Sequence, residues 1–247
     1  MVYQKLILEK KNGIAKITLN RPEAMNAIDE PLWAEIIAAL DEIEKDNTLN
    51  VVILTGTGRA FSTGRDLPGI MAVREWPAGK RTETLENFSK PVIAAVNGYC
   101  FTGGFELAMC ADIVIAAENA VFADTHARFG IIPGGGQTQR LPRHIGPKKA
   151  KELLFTCDTI SAQEAERIGI VNKVVPPEKL EEAAMEMAEK ISKNIPETVS
   201  AIKSLVNRGL KVDYQTGLGL EAEAHDNKPI SPTEEGKKRI AALLKKR

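Results

Sequence analysis

Between Pro91 and Cys110 the chain passes from an apolar run, through an Asn-Gly pair and two further glycines, into a second apolar run that carries one carboxylate. Pro91 to Val96 reads as a buried strand, Asn97-Gly98 as a turn and Leu107 to Cys110 as helix. The order strand, loop, helix, strand then continues into Asp112 to Ala117, and an earlier apolar strand is read at Val51 to Thr55. Alternation of this kind implies an α/β chain with a parallel sheet and crossover helices.

The glycines in that run also define a chemical opportunity. Gly103 and Gly104 fall where the helix begins, so their N–H groups have no acceptor within the helix and are candidates to hold a negative oxygen. Glu106 lies in the first turn. It either complements the helix dipole or works as an acid/base. Its neighbours Phe105, Leu107, Ala108 and Met109 are apolar, which predicts burial and a raised proton affinity. A buried carboxylate beside an oxyanion site suits proton transfer on a carbonyl compound.

The remaining pattern places other elements. Residues 3 to 10 and 14 to 19 read as a hairpin closed at Asn12-Gly13. Pro31 to Lys45 reads as a helix capped by Asp29, with Trp33, Ile36, Ile37, Leu40 and Ile43 on its apolar face. After Pro133 the chain is expected to be helical apart from a short strand at Val171 to Val175. Ser161-Ala162-Gln163-Glu164 reads as a capping box, Gly169 as a helix stop and Ser231-Pro232-Thr233-Glu234 as a second capping box.

Composition excludes several classes. The 247 residues hold 33 Lys plus Arg against 33 Asp plus Glu, so no global charge argues for nucleic acid or an acidic membrane surface as partner. The apolar runs are too short to span a membrane, and Met1 to Lys5 lacks a signal-peptide core, so a cytoplasmic location is expected. Cys100, Cys110 and Cys157 lack paired spacing and read as buried small hydrophobes. His126, His144 and His225 form no metal motif.

An oxyanion usually needs two donors from different segments. Gly58 to Leu67 follows the Val51 to Thr55 strand, bends at Gly64 and is the candidate source of the second. The Gly56-Thr57-Gly58 triplet is too weak to imply a nucleotide. Together these segments resemble the crotonase (enoyl-CoA hydratase/isomerase) superfamily. The resemblance is carried by Asn20-Arg21-Pro22 with Asn26-Ala27, and by Ala60-Phe61-Ser62-Thr63-Gly64-Arg65-Asp66-Leu67. Lys90 to Gly98 running into Gly103-Gly104-Phe105-Glu106-Leu107-Ala108 adds to it. So do Gly130-Ile131-Ile132-Pro133-Gly134, Gln139-Arg140-Leu141-Pro142 and Ser161 to Ala165.

The resemblance implies an α/β crotonase-like fold of repeated ββα units over residues 1–191. It implies a helical trimerisation region over 192–247 in a homotrimer or a hexamer built as a dimer of trimers. It implies an acyl-CoA thioester as substrate, with coenzyme A part of that substrate and no separate cofactor. Arg65 and Gly103 are then the oxyanion donors through their backbone N–H groups. Glu23, Ala24 and Met25 line the coenzyme A site, and Thr63 meets the adenine through its backbone. In family hydratases a second glutamate precedes the Gly-Ile-Ile-Pro-Gly segment, and here that position is His126. His126 is either a substitute acid and water-positioning group or a histidine bonded to Asp124 or to backbone. The resemblance implies an enoyl-CoA hydratase with Glu106 as main acid/base. An isomerase working on Glu106 alone and a non-catalytic acyl-CoA binder are the alternatives. Pro68 to Phe88, with Trp76, Pro77 and Gly79, is expected to flank the acyl group.

Overall fold

The computed structural model describes residues 2–67, 80–227 and 232–245. At its N-terminus, Asn12 and Gly13 both take positive φ (51° and 81°) and reverse the chain. This tight turn joins β1 (Leu6–Lys11) to antiparallel β2 (Ile14–Leu19), with Leu6 opposite Leu19. β1 starts three residues later than the alternation suggested. α1 (Glu30–Lys45) follows, its Leu32 N–H donating to the Asp29 carboxylate at 2.9 Å, so the expected cap is present.

Three long strands, β3 (Val51–Gly56), β5 (Val92–Val96) and β7 (Ile113–Ala117), lie parallel beside β2. Each is followed closely by a three-residue strand: β4 (Ala60–Ser62), β6 (Tyr99–Phe101) and β8 (Val121–Ala123). The short strands leave the first sheet and build a second. Its order is β4-β6-β8-β9, with β9 at Ile160–Ser161, whereas the large sheet runs β1-β2-β3-β5-β7-β10, with β10 at Lys173–Val175. The single parallel sheet read from the sequence is therefore corrected to two sheets. Three residues are too few to display an alternating pattern, and their pairing is non-local. Helices α2 (Lys80–Glu86) and α3 (Gly103–Ala108) follow the β3-β4 and β5-β6 pairs as ββα units.

Alternate residues of the large sheet feed two apolar layers. Val52, Leu54, Val92 and Ala94 join Ile36 and Leu40 of α1 and Phe105 of α3. Val51, Ile53, Ile93 and Ile115 instead meet Leu180, Ala184 and Ala188 of α7 (Leu180–Ser192). Between them in sequence come α4 (Gln137–Ile145), α5 (Pro147–Thr156) and α6 (Ala162–Arg167), the last capped by Ser161 as expected. The chain ends in α8 (Pro196–Gly209), α9 (Tyr214–Asp226) and α10 (Glu234–Leu244). α10 is capped by Thr233, whose hydroxyl accepts from Gly236 N–H at 3.1 Å. The cap is therefore Thr233 rather than Ser231, which lies outside the described residues, and Pro232 precedes the helix.

Candidate active site

The long and short strands of each unit bring the Gly64 bend and the start of α3 side by side. Gly64 has φ 93°, and a Cβ there would lie 2.7 Å from Gly103 N. A Cβ on Gly103 would in turn stand 3.4 Å from Arg65 N. The two N–H groups expected to hold an oxyanion, those of Arg65 and Gly103, thus belong to adjoining backbone with no side chain between them. Thr102 sets the approach: its φ of 51° and ψ of −113° depart from the regular regions, and its N–H donates to Ala123 O at 2.8 Å. Because α3 has only six residues, the direction of individual N–H groups matters more here than an accumulated helix dipole.

The same loop is laced to the segment after β2. Thr63 N–H donates to Met25 O at 3.2 Å, Ile28 N–H to Gly64 O at 2.7 Å and Asp66 N–H to Ile28 O at 3.1 Å. Glu23 and Ala24 lie in a 3-10 turn (Pro22–Ala24) that leads into Met25, the residue whose carbonyl Thr63 meets. Buried Asn26 holds this junction, donating through Nδ2 to Thr57 O (2.9 Å) and Ala60 O (2.7 Å) and accepting from Arg21 N–H (2.8 Å). It stood within a recognised motif, but its role is visible only once these loops meet.

Glu106 is 6% exposed. Burial raises its proton affinity, opposed by the positive charge of His126 and by N–H groups of Gly135 and Gln137. Gly135 N–H donates to Oε1 at 2.8 Å. His126 is also buried, and its Nδ1 lies 2.9 and 3.0 Å from the two Asp124 oxygens. Asp124 also accepts from the His126 backbone N–H at 3.1 Å. Burial disfavours the imidazolium, but the Asp124 hydrogen bond, its charge and that of Glu106 outweigh this and raise the His126 pKa above the ordinary imidazole value. His126 is therefore both bonded to Asp124 and within the electrostatic field of Glu106. Donation from Nδ1 to Asp124 leaves Nε2 as the ring nitrogen able to exchange a proton elsewhere.

Sequence reasoning missed Gly135 and Gln137, because both touch Glu106 through backbone N–H groups that no side-chain type announces. It also missed Arg140, Thr82 and Glu86, which stand behind Gly135. The three cysteines are buried and unpaired, as expected. Among the described residues, no group of three or more His, Cys, Asp or Glu is placed to hold a metal ion, and no helix is long and apolar enough to cross a membrane. Trp76, Pro77 and Gly79 lie outside the described residues; the later part of the expected acyl-flanking segment includes α2.

Long strands alternating with short ones, and the adjoining backbone of Gly64-Arg65 and Gly103 ahead of a buried carboxylate, define a crotonase-fold protein of the α/β class. Residues 9–247 match the Enoyl-CoA hydratase/isomerase family. The chain is 41% identical to the short-chain-enoyl-CoA hydratase of Clostridium acetobutylicum, over 100% of this chain and 97% of that protein. It is equally similar, with the same coverage, to the crotonyl-CoA hydratase of Syntrophomonas wolfei. The crystal structure of enoyl-CoA hydratase from Bacillus anthracis superposes with a TM-score of 0.91 at 38% identity, covering 99% of this chain and 97% of that one. This protein belongs to the enoyl-CoA hydratase/isomerase family.

Proposed function

We propose that this protein is an enoyl-CoA hydratase that adds water across the double bond of a 2-enoyl-CoA thioester. The observation that carries this reading is a buried Glu106 within the field of an Asp124-held imidazole, close to the adjoining backbone of Gly64-Arg65 and Gly103. The thioester oxygen sits between the N–H groups of Arg65 and Gly103. Glu106 takes a proton from water as its oxygen bonds to C3. The π electrons move onto the thioester oxygen, and the hole stabilises the enolate. His126, protonated on Nε2, delivers a proton to C2 as the carbonyl re-forms. Glu106 then returns the proton it took to His126 through solvent, leaving one water added and both groups reset.

Glu23, Ala24, Met25 and Thr63 form the coenzyme A side of the cleft through their backbone. The last three helices expose Ile202, Val206, Leu210, Leu218, Leu243 and Leu244, and Lys203 is the one residue of α8 to α10 that is buried. A tail of this kind supports a subunit-contact role for 192–247 in a homotrimer or a hexamer, which sedimentation equilibrium distinguishes. The three unpaired cysteines suit a reducing compartment, and we place the enzyme in the cytoplasm.

The test follows the conjugated thioester absorbance. Crotonyl-CoA should lose it with wild-type protein and retain it with Glu106→Gln. Hydration unchanged in Glu106→Gln refutes the assignment. Gain of absorbance from a 3-enoyl-CoA without hydration of crotonyl-CoA makes the enzyme an isomerase, and tight binding with neither reaction makes it a binder.

A further inference from the structure

The carboxylate of Glu106 is controlled from behind. Gly135 N–H donates to its Oε1 at 2.8 Å, while the carbonyl of the same residue faces away and accepts from two side chains. These are Thr82 Oγ1, at 2.9 Å, and Arg140 Nη1. The other terminal nitrogen of Arg140, Nη2, is paired with Glu86 Oε2 at 2.7 Å. Thr82 and Glu86 lie on α2 and Arg140 on α4, so two helices converge on one backbone residue that touches the base.

The glycines make this possible. A Cβ on Gly135 would lie 2.4 Å from Glu106 Oε2, and one on Gly136 would lie 2.2 Å from Arg140 Nη1. The backbone here is a wall one residue thick, with a carboxylate on one side and a guanidinium on the other. A mostly buried guanidinium carries a large desolvation cost, which the contacts of its two terminal nitrogens, Nη1 with the Gly135 carbonyl and Nη2 with the Glu86 carboxylate, offset in part, while Nε stays buried without a partner.

We propose that Arg140, held by Glu86 and assisted by Thr82, is the positioning residue for Glu106: it pins Gly135 so that the Gly135 N–H keeps the carboxylate in one orientation. This deepens the hydratase reading and rests on Glu106 being the base. Charge acts in the same sense as geometry. Burial disfavours the Arg140 cation, but its hydrogen bond to Glu86 and the charges of Glu86 and Glu106 favour it, and attraction between the guanidinium and the Glu106 carboxylate acts on both groups.

The test reads Glu106 directly as well as turnover. Carboxyl-carbon NMR on glutamate-labelled protein reports its titration, with the resonance assigned by its loss in Glu106→Gln. Steady-state kinetics with crotonyl-CoA across pH give kcat and KM separately. Arg140→Met should move the Glu106 titration and the acid limb of kcat to higher pH, and lower kcat roughly tenfold with little change in KM. Arg140→Lys keeps the charge but cannot reach both partners, and should restore only part of the loss. Thr82→Val removes one donor to Gly135 O and should shift both readouts in the same direction by less.

An unchanged titration and an unchanged kcat profile in Arg140→Met and Thr82→Val, with only a lower melting temperature, overturn the proposal and leave Arg140 as a brace between α4 and α2. Should Arg140→Met fail to fold, Thr82→Val and Glu86→Gln decide by the same readouts. If turnover ignores Glu106→Gln while the Glu106 resonance still moves in Arg140→Met, the base assignment fails and the clamp stands.

Discussion

The two halves of the proposed site are built from different material. The oxyanion half consists of backbone N–H groups on two loops, aligned by main-chain hydrogen bonds and by the lack of a Cβ at Gly64 and Gly103. The acid/base half consists of side chains, Glu106 and His126, each oriented by a partner: Gly135 for the first, Asp124 for the second. The backbone half is indifferent to which side chain the donor residue bears but intolerant of a badly placed methyl group. In the proposed mechanism the side-chain half accepts imidazole at the second position, because Asp124 adjusts its proton affinity.

The comparison is broken most directly at Glu106. Glu106→Gln keeps an acceptor for the Gly135 N–H but cannot take a proton, and hydration of crotonyl-CoA should fall about 10³-fold. On the opposite side, Gly64→Ala should cost roughly 10²-fold in kcat, because a Cβ 2.7 Å from Gly103 N forces the two donors apart. Its φ of 93° adds strain, so a melting curve should accompany the kinetics to separate lost fold from lost alignment.

The pH profile sharpens the side-chain half. Glu106 must be ionised to accept a proton, and burial raises its pKa, so kcat/KM should fall as pH drops through an acid limb lying above the ordinary glutamate range. His126 must be protonated to donate. Its pKa is raised by Asp124 against the effect of burial, so activity should fall as pH rises through an alkaline limb lying above the ordinary imidazole value. Because the two groups feel each other, the limbs belong to the pair. Asp124→Asn should draw the alkaline limb to lower pH and reduce activity at neutral pH about tenfold. An alkaline limb that does not move removes His126 from the chemistry.

What was legible in the sequence follows the same division. β3, β5 and β7 are continuous apolar runs, and α1 announces itself by period and by the Asp29 cap, so the large sheet and its first helix could be read locally. The short strands β4, β6 and β8 could not, since three residues carry no period and pair only across the fold. In the site, Glu106 was marked by its apolar neighbours and His126 stands two residues from Asp124, a spacing short enough to suggest their contact. The Gly135 clamp was illegible because it joins residues from Thr82, Glu86, Glu106 and Arg140, and because its central contact uses backbone atoms. Arg140 was visible inside a motif without any hint that its guanidinium meets the Gly135 carbonyl behind Glu106.

The smallest effect tests the main-chain half on its own terms. If Arg65 serves the oxyanion through its N–H, its side chain is not part of the hole, and Arg65→Ala should change kcat less than about tenfold. The donor's position would survive, since it is set by Ile28 N–H to Gly64 O at 2.7 Å and Asp66 N–H to Ile28 O at 3.1 Å, neither of which involves the side chain. The informative readout is kcat beside KM: a rise in KM alone would give the guanidinium a role in holding substrate while leaving the hole intact. A loss in kcat as large as that of Gly64→Ala would mean that the guanidinium itself stabilises the enolate, and the division between a backbone half and a side-chain half would no longer describe this site.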